Sequence, residues 1–154
     1  MILGQVFNPK TICVNLESED KEEVFEELVE KLVEIKPNLD RQVVLSSILE
    51  REKLMSTGIK EGIGVPHGKL EDIDDVIGIL GISRKGIDYD ALDNKPVYLV
   101  FLLLSSKSNA EFHLRVLRHL STVIETSGFT SELMEQKTAE DAYQVICKYD
   151  KASN

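Results

Sequence analysis

Two continuous apolar runs place the strongest limit on how this chain can fold. One is VIGILGIS at residues 76–83, and the other is VYLVFLLL at residues 97–104. Strands that are apolar at nearly every position are typical of sheets covered on both faces, whereas half-exposed strands alternate between apolar and polar residues. We therefore predict a sheet that is protected by helices.

Amphipathic segments elsewhere in the sequence can supply that cover. Apolar residues recur with helical spacing, and turn formers or capping residues bound the segments. The sequence predicts helices at about 20–35, 40–53, 110–126, 130–136 and 139–149, with Asp40 as an N-cap. It also predicts an alternating strand at 10–16 and a loop at 85–96. Strands interspersed with helices indicate a layered α/β domain.

Length and charge limit the number of domains and the kinds of partner. The chain has 154 residues and a net charge of -9, which favours one domain and disfavours nucleic acid or anionic membrane as partners. No signal-peptide pattern is present, and the longest apolar run is well below the roughly 20 residues of a membrane helix. We expect a single cytoplasmic domain over 1–154, with its core at about 10–149, free thiols at Cys13 and Cys147, and frayed ends at 1–9 and 148–154.

The segment STGIKEGIGVPHGKL, residues 56–70, has the composition of a functional loop. It holds four of the nine glycines of the chain, and glycine permits unusual backbone conformations and close approach of another molecule. Pro66 fixes the backbone just before His67, and Gly68 leaves space just after it. We predict an accessible His67 on a constrained support. For Ser56 and Thr57 we favour capping of backbone groups in the loop over a hydrogen bond to the modified histidine.

Three further residues are candidates for the same site. His113 falls in the middle of an apolar helix face, where an imidazole needs a hydrogen-bond partner. Arg51, near the end of its helix, shares a face with apolar residues and carries a guanidinium suited to phosphate oxygens. Glu61 could orient an imidazole or pair with Arg51. A nucleophile, cationic donors and steric access are together the requirements of phosphoryl transfer.

The stretch from Arg51 to Lys69, with its STGIKEGIGVPHGK core, closely resembles the active-site signature of enzyme IIA domains of the fructose/mannitol/nitrogen-regulatory type. These domains belong to the phosphoenolpyruvate-dependent phosphotransferase system. The resemblance extends through GIDYDALDNKPVYLVFLLL and the helix that bears His113. It implies a mixed sheet flanked by helices on both faces, and phosphorylation of His67 on Nε2. His113 then matches the second active-site histidine, Arg51 the family arginine and Glu61 an acidic loop position.

The resemblance also implies partners. Members of the family take the phosphoryl group from HPr or its nitrogen-branch counterpart, and no metal or cofactor is expected. Because no linker to a IIB or membrane-spanning domain is seen, we favour a nitrogen-regulatory type that acts on regulatory partners. The alternative is a sugar-type IIA component that donates the group to a IIB domain.

A metal site is a competing interpretation of the same residues. His67, His113 and Glu61 are ligands that zinc accepts, with water as a fourth. The sequence lacks the H-x-x-x-H and H-E-x-x-H spacings, and the charge of Arg51 would repel a cation. We therefore rank a metal site below a phosphoryl carrier.

Overall fold

The structure, a computed structural model, describes residues 2–58, 60–71 and 73–153. The described strands form one mixed sheet, and both apolar runs lie in its centre. The strands are β1 Ile12–Cys13, β2 Ile63–Gly64, β3 His67–Leu70, β4 Ile77–Ile87 and β5 Val97–Ser106. β4 and β5 pair antiparallel, β1 adds to β4 in parallel, and β2 and β3 both add in parallel to the far side of β5.

Six α-helices surround the sheet in the described part of the chain. They are α1 Leu3–Val6, α2 Lys21–Ile35, α3 Arg41–Leu54, α4 Ala110–Glu125, α5 Phe129–Met134 and α6 Ala139–Ala152. The predicted N-cap is confirmed, because the carboxylate of Asp40 accepts from the backbone N–H groups of Gln42 and Val43. Asp20, Asn109 and Thr138 cap α2, α4 and α6 in the same manner.

Each face of the sheet has its own apolar core. Helices α2 and α3 cover one face, and α1, α4, α5 and α6 cover the other. Strand β5 contributes to both, since Phe101 and Leu103 pack on the α4 side while Leu102 and Leu104 pack on the α3 side. The predicted α/β sandwich, a mixed sheet with helices on both faces, is confirmed.

Residues 2–9 and 148–153 are folded, so the prediction of frayed ends is wrong there, while Met1 and Asn154 lie outside the described residues. Leu3 is 0% exposed and Phe7 is 1% exposed. The backbone N–H of Gly4 donates to Asp150 Oδ2 at 2.9 Å, and the Tyr143 hydroxyl donates to the Gly4 carbonyl at 2.7 Å. The first helix is thereby fastened to α6, which continues through Ala152.

Two predicted loops are partly strand. The glycine-rich segment contributes β2 and β3, and β4 continues to Ile87 through an irregularity in its register with β5. Conversely, β1 is shorter than predicted because a single 3-10 turn, Pro9–Thr11, precedes it. None of the described helices combines the length and apolar character needed to cross a membrane.

Candidate active site

Strand β3 fixes the backbone that carries His67. His67 is the first residue of β3 and lies opposite Leu103 of β5. Just before it, the carbonyl of Pro66 accepts a hydrogen bond from the Leu103 N–H at 3.0 Å. The predicted constrained support is therefore a strand held in register by the centre of the sheet.

The glycine after His67 has a different role from the one expected. A Cβ at Gly68 would collide with the hydroxyl of Ser47 on α3. Gly68 is also buried. Its missing side chain therefore lets α3 pack directly against β3, and does not open space for a partner. This close contact brings Arg51, also on α3, to the histidine.

Both ring nitrogens of His67 have hydrogen-bond partners. Nδ1 lies 3.0 Å from the carbonyl oxygen of Val65, which can only accept, so Nδ1 carries the proton. Arg51 Nε donates to His67 Nε2 at 3.0 Å, and Arg51 also donates to the carbonyl of Met55 at 3.0 Å. The two contacts of the ring agree on one tautomer, with a lone pair on Nε2.

His113 lies beside His67 but is held differently. The two ring centroids are 5.6 Å apart, with an angle of 48° between the ring planes. His113 is 4% exposed, and its Nδ1 is buried with no hydrogen-bond partner among the described residues. The expected partner for this buried imidazole is thus lacking at Nδ1. The structure brings Arg51, His67 and His113 together.

The environment keeps both imidazoles neutral. Burial lowers the pKa of His67, as do the positive charges of Arg51 and Lys69, whereas the hydrogen bond to the Val65 carbonyl and the charge of Glu52 act in the opposite direction. Burial, with further contributions from His67 and Lys69, lowers the pKa of His113 to about 4. At neutral pH each imidazole is therefore uncharged, and the unprotonated Nε2 of His67 lies beside the guanidinium of Arg51.

Glu61 does not reach this group. Its side chain is 74% exposed and pairs with Lys95 at 3.2 Å, and none of its hydrogen bonds within the described residues goes to Arg51, His67 or His113. The structure therefore does not show the proposed orienting contact. Likewise, residues 2–58, 60–71 and 73–153 contain no group of three His, Cys, Asp or Glu side chains placed to hold a metal ion.

Comparison with known proteins assigns the chain to a family. The sequence model of the family described as "Phosphoenolpyruvate-dependent sugar phosphotransferase system, EIIA 2" matches residues 5–149. The chain belongs to this family.

The relatives carry sugar-transport and regulatory names. The chain is 34% identical over 151 residues to the PTS system fructose-specific EIIABC component of Bacillus subtilis, covering 98% of this chain and 24% of that protein. It is 32% identical over 144 residues to the nitrogen regulatory protein of Pseudomonas aeruginosa, covering 94% of each. The crystal structure of IIA-Ntr from Neisseria meningitidis superposes with a TM-score of 0.87 at 29% identity, covering 95% of this chain and 99% of that one.

Next to the site of this EIIA domain is a buried carboxylate that the sequence analysis missed. Glu52 follows Arg51 on α3 and is 8% exposed. It accepts from the N–H of Thr57 at 2.8 Å and from the Thr57 hydroxyl at 2.7 Å. The signal was present, because Glu52 is four residues after the buried Ile48 and so lies on the inward helix face.

The loop hydroxyls have two separate roles. Ser56 Oγ accepts from the N–H of Gly58 at 3.1 Å, so the predicted backbone cap is confirmed there. Thr57 instead points inward, towards Glu52 and the hydroxyl of Tyr89 at 2.7 Å. A polar side chain of the loop is thus part of the domain interior.

The surface around the EIIA site is apolar in several places. Leu54 and Met55, at the end of α3, are 81% and 53% exposed, and Leu114, which follows the buried His113 in the sequence, is 51% exposed. Leu54 lines an open groove together with Arg51 and His67. Exposed apolar groups that adjoin a reactive group are typical of protein docking surfaces.

Proposed function

We propose that this protein is a phosphoryl carrier that accepts the group on Nε2 of His67 and passes it to another protein. One observation carries the proposal: the Val65 carbonyl holds the proton of His67 on Nδ1, so the lone pair is on Nε2, 3.0 Å from a guanidinium nitrogen. Membership of the EIIA family supports the assignment.

The transfer exchanges one P–N bond for another. The Nε2 lone pair of His67 attacks the phosphorus of a donor phosphohistidine, and the breaking P–N bond returns its electron pair to the donor imidazole. The Nδ1 proton stays on His67, hydrogen-bonded to the Val65 carbonyl. A lowered pKa keeps His67 unprotonated and nucleophilic at neutral pH. Because the bonds are alike, the step runs in both directions.

Arg51 and His113 stabilise the charge that moves during transfer. In the free protein the Nε–H of Arg51 donates to the nitrogen that becomes phosphorylated. As the bond forms, this donor shifts to the phosphoryl oxygens, whose geometry suits the guanidinium fork. The imidazole of His113, with its ring 5.6 Å from that of His67, supplies a second polar contact to the same oxygens.

The donor in this proposal is HPr or its nitrogen-branch counterpart, and the protein works in the cytoplasm. Leu54, Met55 and Leu114 provide exposed apolar contacts around the site for such a donor. The net charge of -9 suits a partner with a basic surface. Delivery to regulatory targets is favoured by the similarity to the Pseudomonas nitrogen regulatory protein and to the Neisseria IIA-Ntr structure.

Sugar transport is the second candidate. The 34% identity to a fructose-specific component supports a role in which phosphorylated His67 donates to a IIB domain. The two roles share the chemistry at His67 and differ in the next acceptor. They can therefore be separated only by following the phosphoryl group one step further.

Reconstitution tests the carrier function. The protein is incubated with labelled phosphoenolpyruvate, enzyme I and HPr or its counterpart. We expect one acid-labile, alkali-stable phosphoryl group per chain, mapped to the peptide that contains His67. An acid-stable label, or a label on another peptide, would contradict the proposal.

A second stage identifies the role. The labelled protein is purified and mixed with IIB domains of the fructose and mannitol types. Rapid loss of label to a IIB domain supports sugar transport, whereas retention of the label with all of them supports the regulatory role.

A further inference from the structure

A buried polar cluster lies beneath the glycine-rich segment, on the α3 side of the sheet. Its members are Lys21, Glu52, Thr57 and Tyr89, which we call the Glu52 cluster. The carboxylate of Glu52 receives three donors: Lys21 Nζ at 2.9 Å, the Thr57 N–H at 2.8 Å and the Thr57 hydroxyl at 2.7 Å. The charge of Glu52 is thus compensated by Lys21, and the two donors of Thr57 fix the orientation of the carboxylate.

The direction of the hydrogen bonds is fixed throughout the cluster. The Thr57 hydroxyl donates its proton to Glu52, so it accepts from the Tyr89 hydroxyl at 2.7 Å. Burial raises the pKa of Tyr89, which therefore remains a donor. Lys21 Nζ lies 4.9 Å from the centre of the Tyr89 ring. Thr57 is thus held in a single orientation by partners on both sides.

The cluster reaches His67 through the backbone. The carbonyl of Thr57 accepts from the N–H of Val65 at 3.1 Å, and the carbonyl of Val65 accepts from His67 Nδ1 at 3.0 Å. Three hydrogen bonds thus connect the buried carboxylate to the Nδ1 proton of His67: Thr57 to Glu52, Val65 to Thr57, and His67 to Val65. The orientation of Val65 sets the tautomer of His67 and the direction of its Nε2 lone pair.

The same turn also holds the arginine. Arg51 donates from Nη1 to the carbonyl of Met55, two residues before Thr57, while its Nε donates to His67. The ring of Tyr89 supports the turn and the next strand from below, because a Cβ at Gly58 or Gly64 would come within 3 Å of it. The cluster therefore lies beneath the segments that hold both His67 and Arg51.

We propose that Glu52 and Thr57 are positioning residues for phosphoryl transfer, which hold Val65 and Met55 so that His67 and Arg51 meet in the reactive geometry. The inference rests on the proposed carrier function of His67. Neither residue touches the phosphoryl group. Their contribution is orientation, and a displacement near 1 Å at a reacting atom lowers rates by about a hundredfold.

Thr57→Val is the central test, since it replaces the hydroxyl with a methyl group at nearly constant volume. We expect the rate of single-turnover transfer from phosphorylated HPr to fall by about tenfold to a hundredfold, with little change in the KM for HPr. Thr57→Ser retains the hydroxyl and should keep the rate within about threefold of wild type. The matched control is Thr11→Val, because Thr11 is also 3% exposed and hydrogen-bonded but lies in the N-terminal turn.

A measurement without any donor separates this inference from the carrier function. ¹⁵N NMR of the imidazoles should show His67 as the single Nδ1–H tautomer in wild type and as a mixture of tautomers in Thr57→Val. In Glu52→Gln the pH at which His67 titrates should fall, because the negative charge that raises its pKa is removed. A merely structural role would leave the His67 tautomer unchanged in Thr57→Val, whereas the titration of His67 in Glu52→Gln reports only the lost charge of Glu52.

The outcomes are distinct. A folded Thr57→Val protein with the wild-type rate and the wild-type His67 tautomer overturns the inference, as does Thr11→Val slowing transfer equally. If Thr57→Val does not fold, Glu52→Gln decides: a wild-type rate or a single Nδ1–H tautomer of His67 overturns the inference, and a lower rate with a mixture of tautomers supports it. Absence of labelling in wild type would contradict the carrier function, while the NMR comparison would still test the positioning.

Discussion

The two imidazoles of the site are held in opposite ways. His67 has a partner on each ring nitrogen, at 3.0 Å in both cases. His113, more deeply buried, has an Nδ1 with no partner among the described residues. The difference follows from the groups that hold each ring: Arg51 of α3 and the carbonyl of Val65 bond to His67, whereas His113 projects from α4 beside an apolar core.

This contrast indicates a division of labour. A nucleophile must present one lone pair in one direction, and every contact of His67 serves that requirement. A group that stabilises charge in the proposed phosphorylated state needs a hydrogen-bonding atom that is not already engaged, and Nδ1 of His113 has no partner among the described residues. In the proposed mechanism, His67 is therefore the oriented group, and His113 is the group whose Nδ1 has no partner in the part of the chain that the structure describes.

Removing the fixed imidazole should have the largest effect. His67→Ala is expected to abolish phosphoryl acceptance, because His67 forms the P–N bond in the proposed mechanism. Labelling from phosphorylated HPr should be undetectable, while circular dichroism shows a folded protein. Persistent labelling of this variant would assign acceptance to another residue, and His113→Ala is the matched comparison.

Removing the imidazole of His113 should slow transfer without preventing it. We expect His113→Ala to lower the transfer rate by about a hundredfold, the effect of losing one donor to a developing charge. Its affinity for HPr, measured by calorimetry, should stay within about twofold of wild type. A weaker complex with an unchanged maximal rate would show instead that His113 is a docking residue.

The lowered pKa of His113 should make stability depend on pH. The unfolded state binds a proton near pH 6.5, and the folded state only near pH 4. As the pH falls through this interval, protonation favours the unfolded chain, so stability present above pH 6.5 is lost. Urea unfolding of wild type at pH 7 and pH 4.5 should show an excess loss of about 1–3 kcal/mol over His113→Gln. Equal losses in both proteins would contradict the pKa.

Changing the arginine fork to a point charge should have a smaller effect. Arg51→Lys keeps the positive charge but cannot bond both Met55 and His67 in the geometry of the guanidinium. We expect transfer to slow by about tenfold. Quench-flow measurements should place the loss in the transfer step, and a wild-type rate would show that charge alone is sufficient.

The smallest effect is expected at Glu61. Its exposed pair with Lys95 contributes little in water and has no contact with the site among the described residues. Glu61→Gln should therefore accept the phosphoryl group within about twofold of the wild-type rate. A tenfold loss would restore the role that the family resemblance implies.

Much of this fold could be predicted from local sequence patterns. The apolar runs of β4 and β5, the helical stripes and the Asp40 cap each depend on neighbours in the sequence, and the structure confirms them. The frayed-end prediction failed because burial of Leu3 and Phe7 depends on α4 and α6, far along the chain. The short strands β2 and β3 were not predicted for the same reason, because their pairing with the distant strand β5 defines them.

Local sequence patterns also predicted part of the site but not all of it. Helical periodicity and the glycine-rich setting singled out Arg51, His67 and His113, which the structure brings together. The Glu52 cluster escaped notice because Tyr89 lies in a segment predicted as loop and Lys21 at a helix start. Their convergence on one carboxylate is a property of the three-dimensional packing, and no spacing in the sequence encodes it.

Strand β5 carries both β2 and β3 on one side and β4 on the other. During synthesis His67 emerges from the ribosome before this strand, and His113 emerges after it. A nascent chain that ends within β5 therefore contains His67 but lacks part of the strand that holds β3 in register. Competence for phosphorylation should appear abruptly, once the last strand has joined the sheet, and not grow with chain length.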